Sequence, residues 1–297
     1  MSVDSLRQVT RLIEDSQQGH VLDQLADQLQ GFLHTGVEQG GPAARRLKNW
    51  LHGVWLGHPL HPALTDVPIG AWTVGFLLDV VGAKQPADAA MTIGALAAVP
   101  TALAGAADWS DMDPGPARRV GLVHAALNTL GLSCVIASLF ARRTDNRGLG
   151  VALSSLGLSI ASFSAWLGGS LVYAQGIGVT RNAFQPGLDE FQPLSISADS
   201  LEPGKLTLAE VTVEGARLPL VVYKTGSSIY ALSNVCSHWG GPLAEGKLVD
   251  GDCVECPWHA SQFRLADGSV RQGPATIPQP AFEARVRDGV IEVRRIH

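Results

Sequence analysis

NVCSHWGGPLAEGKLVDGDCVECPWHASQF, residues 234–263, carries one Cys and one His in each of two short clusters. One residue separates Cys236 from His238, two separate Cys256 from His259, and 17 lie between the clusters. Two thiolates and two imidazoles on paired loops have the donor count for a single zinc ion. Structural zinc sites, however, usually pair Cys with Cys about two to four residues apart in at least one half. Here each half is mixed, which suits a 2Fe-2S cluster in which one iron takes both Cys and the other takes both His.

The boxes C-x-H beside Gly240-Gly241-Pro242 and C-P-x-H before Ala260 resemble those of the Rieske family, over roughly the last 100 residues. The resemblance implies an inner iron on Cys236 and Cys256 and an outer iron on His238 and His259. Neutral imidazoles lower the negative charge of such a cluster, so its potential is expected between about -150 and +300 mV. In the high-potential members, from cytochrome bc complexes, each box has an extra Cys that forms a disulfide. A Ser and a Tyr after the second box also donate hydrogen bonds to the cluster there. In this chain Gly241 and Trp258 stand at the extra Cys positions, Ser261 at the Ser and Phe263 at the Tyr. The departures imply a low to intermediate potential, closer to the ferredoxins that feed oxygenases. Ala260 replaces the family's usual Gly, Gly273-Pro274-Ala275 resembles its third, shielding loop, and Pro242 and Trp258 are expected to pack around the site. A terminal oxygenase is not expected, because only 38 residues follow His259 and they hold a single His, His297, too few for a mononuclear iron domain.

The composition joins two unlike parts. A chain of 297 residues suits about two domains, and 16% charged residues with a mean hydropathy of +0.15 average a very apolar middle with polar ends. A net charge of -5 argues against a nucleic-acid partner. Cys134 sits in an apolar run and Cys253 just before the second box, so a secreted disulfide framework is not expected. The start MSVDSLRQVT lacks a signal-peptide core, and Arg45-Arg46-Leu47 reads as a basic flank rather than a twin-arginine signal.

Leu22, Leu25, Leu29, Phe32 and Leu33 recur at helical spacing, and two short amphipathic helices are expected over residues 1–33, ended by Gly36, Gly40, Gly41 and Pro42. Four apolar runs follow, roughly residues 62–81, 88–107, 120–141 and 149–173, each long enough to cross a bilayer. Their Ala, Gly and Ser content is that of close-packed membrane helices. Beyond a Gly- and Pro-containing linker the pattern shifts to strands expected at residues 206–213, 218–224, 228–232, 253–256, 281–286 and 290–294, with tight turns at Asp250-Gly251 and Asp288-Gly289. The expected architecture is an α+β multidomain chain: an N-terminal arm (residues 1–57), a four-helix transmembrane domain (58–175), a linker (176–198) and a small antiparallel all-β domain (199–297). Four spans return the chain to its starting side. Near the membrane that side carries Arg45, Arg46, Lys48, Arg118, Arg119 and Arg181, against Lys84, Arg142, Arg143 and Arg147 opposite, which favours an inner-membrane protein with the β domain in the cytoplasm.

HPLHPALTDVPIGAW, Asp108-Trp109 and WLGGSLVYAQGIGV resemble an uncharacterised family of four-span bacterial membrane domains over about residues 55–180. That family usually has His where Asp66 stands here. Ionisable residues within spans are costly, so His58, His61, Asp66, Asp108 and His124 are candidates for a second site. The alternatives are interface capping by His58 and His61, and a hydrogen bond from His124 to Asp66 or Asp108. As a site, His124 with His58 or His61 suits b-type haem, and the same groups suit a quinone. The functions that follow are a membrane-anchored Rieske electron carrier with a redox protein or quinone as partner, an integral oxidoreductase with a haem or quinone site, or a redox-sensing membrane anchor.

Overall fold

Ala, Gly, Leu and Val dominate residues 60–173, and in the computed structural model, which describes residues 10–14 and 16–296, they form long helices. The helices are α1 (Ser16–Gln39), α2 (Gly41–His52), α3 (Leu60–Val80), α4 (Lys84–Ser110), α5 (Pro116–Arg143) and α6 (Arg147–Tyr173). The last four, of 21, 27, 28 and 27 residues, are long and apolar enough to cross a membrane. The chain divides into two units, Met1–Leu51 with Pro59–Ile177, and His52–His58 with Gly178–His297.

In the first unit α3 packs chiefly with α4, and α5 with α6. Small residues permit the approach: a Cβ on Gly94 would lie 2.5 Å from the Trp72 ring, and one on Gly157 would lie 2.8 Å from Gly131 O. Leu77, Leu96, Leu103 and Phe140 face outward, an apolar surface suited to lipid. At one end of the bundle the buried Arg142 guanidinium reaches Asp79 at 2.5 Å and Asp88 at 2.7 Å, and Arg147 reaches Asp79 at 2.7 Å. At the other, α1 is latched down. Arg118 meets Asp27 at 2.7 Å, Arg119 meets Asp23 at 3.0 Å, and Gln30 Nε2 donates to the carbonyls of Trp109 and Met112, each at 3.0 Å. These bonds and the burial of Ala26 explain why α1 runs through Gly36 to Gln39 instead of ending at residue 33. The cost of about 1 kcal/mol for a helical Gly is outweighed by packing. The part of that expectation covering residues 1–9 and 15 lies outside the described residues.

The second unit is a closed antiparallel barrel, β1-β10-β9-β4-β3-β2, with a separate sheet β5-β6-β7-β8. The barrel strands are β1 (Gln192–Ser197), β2 (Leu206–Val213), β3 (Ala216–Thr225), β4 (Ser228–Ser233), β9 (Ala281–Arg287) and β10 (Val290–Arg295). The smaller sheet holds β5 (Lys247–Val249), β6 (Cys253–Glu255), β7 (Gln262–Arg264) and β8 (Val270–Gln272). Two-residue turns close β2–β3 at Glu214-Gly215 (φ 50° and 82°) and β9–β10 at Asp288-Gly289 (φ 51° and 79°), the left-handed pairs that match strand twist. Leu194, Val211, Leu220, Val222, Ile291 and Val293 fill the barrel. The stretch expected as a linker is largely part of this unit: β1 opens at Gln192, and Leu188 joins the barrel core. Its Gly and Pro content gave no strand period to read.

Candidate functional site

The two Cys-His clusters lie on matching loops, one between β4 and β5 and the other between β6 and β7. In the first, Cys236 N donates to Gly241 O at 2.9 Å and Gly240 N to Cys236 O at 2.8 Å. In the second, Cys256 N donates to Ser261 O at 2.9 Å and Ala260 N to Cys256 O at 3.1 Å. Each loop therefore closes on its cysteine by the same two bonds. The turn needs a left-handed residue at the fourth position after the Cys, and Gly240 (φ 86°) and Ala260 (φ 56°) supply it. Ala260 thus adopts the conformation that Gly takes more readily.

The loops bring both cysteines into the interior with their side chains in contact, beside Leu243, Val254 and Phe263. The Cys256 thiol is lowered to about 6, first by the hydrogen bond from Cys236 and then by the amides of Trp258 and His259. The same bond and burial push the Cys236 thiol up. On the outer side the His238 and His259 rings stand 5.0 Å apart at 88°, both half-buried. Glycine is required at Gly241, where a Cβ would come 2.8 Å from Cys256 Sγ and 3.0 Å from Trp258. Trp258 packs there yet is 56% exposed. A cavity of about 330 Å³ opens beside Trp258 and His259, with Glu245, Lys247 and Glu255 at its rim.

Ser261 is fully buried, and its Oγ accepts from Ala275 N at 2.9 Å, which ties the third loop, Gly273-Pro274-Ala275, to the second box. Phe263 is wholly buried in the core beneath the loops. Cys253 is also buried, on β6, where it pairs with Arg264 across the strands and stands apart from the two boxes in register.

Several residues that brace the site carry no sequence signal. Gln279, 2% exposed, donates to Ser233 O at 2.7 Å and Val235 O at 2.5 Å and accepts from Ser237 N at 2.9 Å, which holds the first loop from behind. Asn182 and Gln185 join the same network through Ser233, and the Arg181 guanidinium lies 4.7 Å from the centre of the Trp239 ring. A Gln between Pro278 and Pro280 reads as a turn, and its partners lie more than 40 residues away.

Of the five candidates in the membrane half, the structure pairs His61 with His124, their ring centres 6.1 Å apart. His124 does not bond Asp66 or Asp108, as the alternative reading expected. Its Nδ1 meets Ser164 O at 2.8 Å and its Nε2 meets Asn128 at 3.1 Å. Ser164 on α6 offers both its carbonyl and its hydroxyl, at 3.0 Å, to that ring nitrogen. Asp66 is exposed, Asp108 half-buried, and His58 falls in the segment grouped with the second unit.

Residues 194–283 match the family described as Rieske [2Fe-2S] domain, and residues 57–181 the family described as Predicted membrane protein (DUF2231). Ferredoxin CarAc of Metapseudomonas resinovorans is 38% identical over 97 residues, 33% of this chain and 87% of that protein. The anthranilate 1,2-dioxygenase ferredoxin subunit of Burkholderia cepacia is 36% identical over 75 residues, 25% of this chain and 68% of that protein. The solved ferredoxin of carbazole 1,9a-dioxygenase from Nocardioides aromaticivorans IC177 is similar at 29% identity and a TM-score of 0.32, over 36% of this chain and 98% of that one.

Proposed function

The chain belongs, through its C-terminal domain, to the Rieske [2Fe-2S] family, and on that premise we propose that it is a membrane-anchored carrier of single electrons. The observation that carries the reading is the pair of matching loops, which present two touching cysteines on the buried side and two imidazoles 5.0 Å apart on the outer side. The donor set fits a two-iron cluster: Cys236 and Cys256 would hold one iron and His238 and His259 the other. The cluster, when bound, takes up and releases one electron. Cys236 and Cys256 keep their end out of water, Gln279 and Ser237 fix the first loop, and Ser261 fixes the third. The half-buried His238 and His259, beside the exposed Trp258, form the side through which a partner would exchange electrons.

Relatives named as ferredoxin subunits support an oxygenase or another redox protein as that partner. Phe263 at the Tyr position supports a low to intermediate potential. The six basic residues flanking the spans on one side, against four on the other, support an inner-membrane protein with a cytoplasmic Rieske domain. Low-temperature EPR of the reduced, detergent-purified chain tests the assignment. A Rieske signal is expected, and its absence after anaerobic reconstitution with iron and sulfide would sink it. A second reading, an integral oxidoreductase with a haem or quinone site in the bundle, is favoured by one observation, the apposed rings of His61 and His124.

A further inference from the structure

The bundle is one helical hairpin used twice. Helices α4 and α6 both hold 27 residues and begin and end 63 residues apart, Lys84 against Arg147 and Ser110 against Tyr173. Helices α3 and α5 also end 63 apart, at Val80 and Arg143. At this offset His61 matches His124, Gly94 matches Gly157, Thr101 matches Ser164 and Gly105 matches Gly168.

The local chemistry repeats with the helices. His61 Nδ1 bonds Thr101 O at 2.9 Å, and His124 Nδ1 bonds Ser164 O at 2.8 Å. Each ring rests on a glycine one turn further along: a Cβ on Gly105 would lie 2.8 Å from His61, and one on Gly168 would lie 3.0 Å from His124. Matching residues also meet each other. His61 faces His124 with planes 89° apart, and at the far end Asp79 meets Arg142, again 63 residues on. Residues related by a two-fold touch one another only on its axis, so a pseudo-two-fold runs along the bundle through both pairs.

A carbonyl can only accept, so in each ring Nδ1 carries the proton and Nε2 the lone pair. The Asn128 amide, 3.1 Å from His124 Nε2, agrees with that tautomer and occupies the lone pair a metal would take, so ligation requires the Asn128 side chain to turn away. An imidazole whose other nitrogen donates to a backbone carbonyl is oriented as metal-binding histidines are. Two metal–nitrogen bonds of about 2 Å, with about 1 Å from each nitrogen to its ring centre, span about 6 Å. The observed 6.1 Å fits one metal between the two rings. Among the described residues no third His, Cys, Asp or Glu side chain joins His61 and His124 in a metal-binding group. A metal held by only two protein ligands brings the rest of its coordination with it, and haem iron does so, leaving two axial positions for imidazole.

We propose that His61 and His124 are the axial ligands of one b-type haem on the pseudo-two-fold axis of the bundle. The proposal rests on the second reading above and is independent of the Rieske cluster. It is tested on the full chain in detergent, by optical and EPR spectroscopy as purified and during titration with haemin. One low-spin haem per chain is expected, with the strongly anisotropic EPR signal that perpendicular imidazole planes produce. His61→Ala and His124→Ala should each lose that spectrum while keeping the thermal transition of the bundle in far-ultraviolet circular dichroism, which reports that the helices are folded. His124→Gly should regain it on addition of free imidazole. Failure to bind low-spin haem at saturating haemin, or unchanged binding in the His61→Ala/His124→Ala double variant, overturns the proposal. A haem spectrum without any Rieske signal would uphold it and sink the cluster assignment instead.

Discussion

Both histidine pairs of this chain stand nearly perpendicular, at 88° for His238–His259 and 89° for His61–His124, yet they are positioned by opposite means. In the C-terminal unit the backbone turns are fixed, each loop closing on its cysteine, and the imidazoles follow at the half-exposed rim. In the bundle the rings themselves are fixed, each through Nδ1 to a neighbouring helix. A loop-built site depends on a few positions where a side chain would intrude, such as Gly241. A helix-built pair depends on the register of whole helices, because one inserted residue would turn a ring by about 100° around its helix.

The sharpest way to break that contrast is to remove one ligand and watch the other region. His259→Ala should abolish the Rieske EPR signal completely while the bundle keeps its thermal transition in detergent, followed by far-ultraviolet circular dichroism. A matching drop in that transition would mean the two regions are not separately stable. The converse is Arg142→Leu, which leaves the buried Asp79 carboxylate without its 2.5 Å partner. Arg147 still reaches that carboxylate at 2.7 Å, so a loss of about 1–3 kcal/mol is expected, below that of a wholly unpaired buried charge, read by denaturant unfolding of the bundle. Asp79→Leu together with Arg142→Leu should recover much of it, and an equal loss in the double variant would show that the charge pair is not what matters.

Smaller effects refine the loop side. Gln279→Ala removes the brace behind the first loop and should cost about 1–3 kcal/mol, seen as loss of cluster absorbance at a lower temperature with an unaltered EPR line shape. An unchanged melting profile would show that Gln279 does not hold the loop. Phe263→Tyr offers a hydroxyl beneath the cysteines. A new hydrogen bond worth about 1.4 kcal/mol would raise the midpoint potential by about 60 mV. A lower or unmoved potential would show that this position does not reach the cluster.

The two boxes, the four spans and six of the ten strands among the described residues were legible because each is a local pattern: a fixed spacing, an unbroken apolar run, an alternation between tight turns. Strands β5, β7 and β8 hold three residues each, too few for a period of two to be read; β6 is as short but follows the tight turn at Asp250-Gly251, which marked it. Gln279 was hidden because its partners are distant in the chain. The hairpin repeat was hidden because few of its matched positions keep the same residue. What it conserves is geometry, a histidine beside a carbonyl and a glycine, and Thr101 serves as well as Ser164 when only the carbonyl is used. The latch of Arg118 and Arg119 onto α1 was misjudged for a related reason. Both read as a basic flank, but the carboxylates that bury them lie about 90 residues earlier.

The Asp79–Arg142 contact also sets how the halves can assemble. It occupies the point on the axis where two identical hairpins would oppose a residue to its own copy: two carboxylates for the first hairpin, two guanidiniums for the second. Either arrangement would bury like charges within a lipid-facing bundle. Each half is thereby complementary to the other and repelled by itself. Cut in the turn between Asp111 and Gly115, the bundle should reform from its two fragments as a mixed pair, with neither fragment dimerising alone.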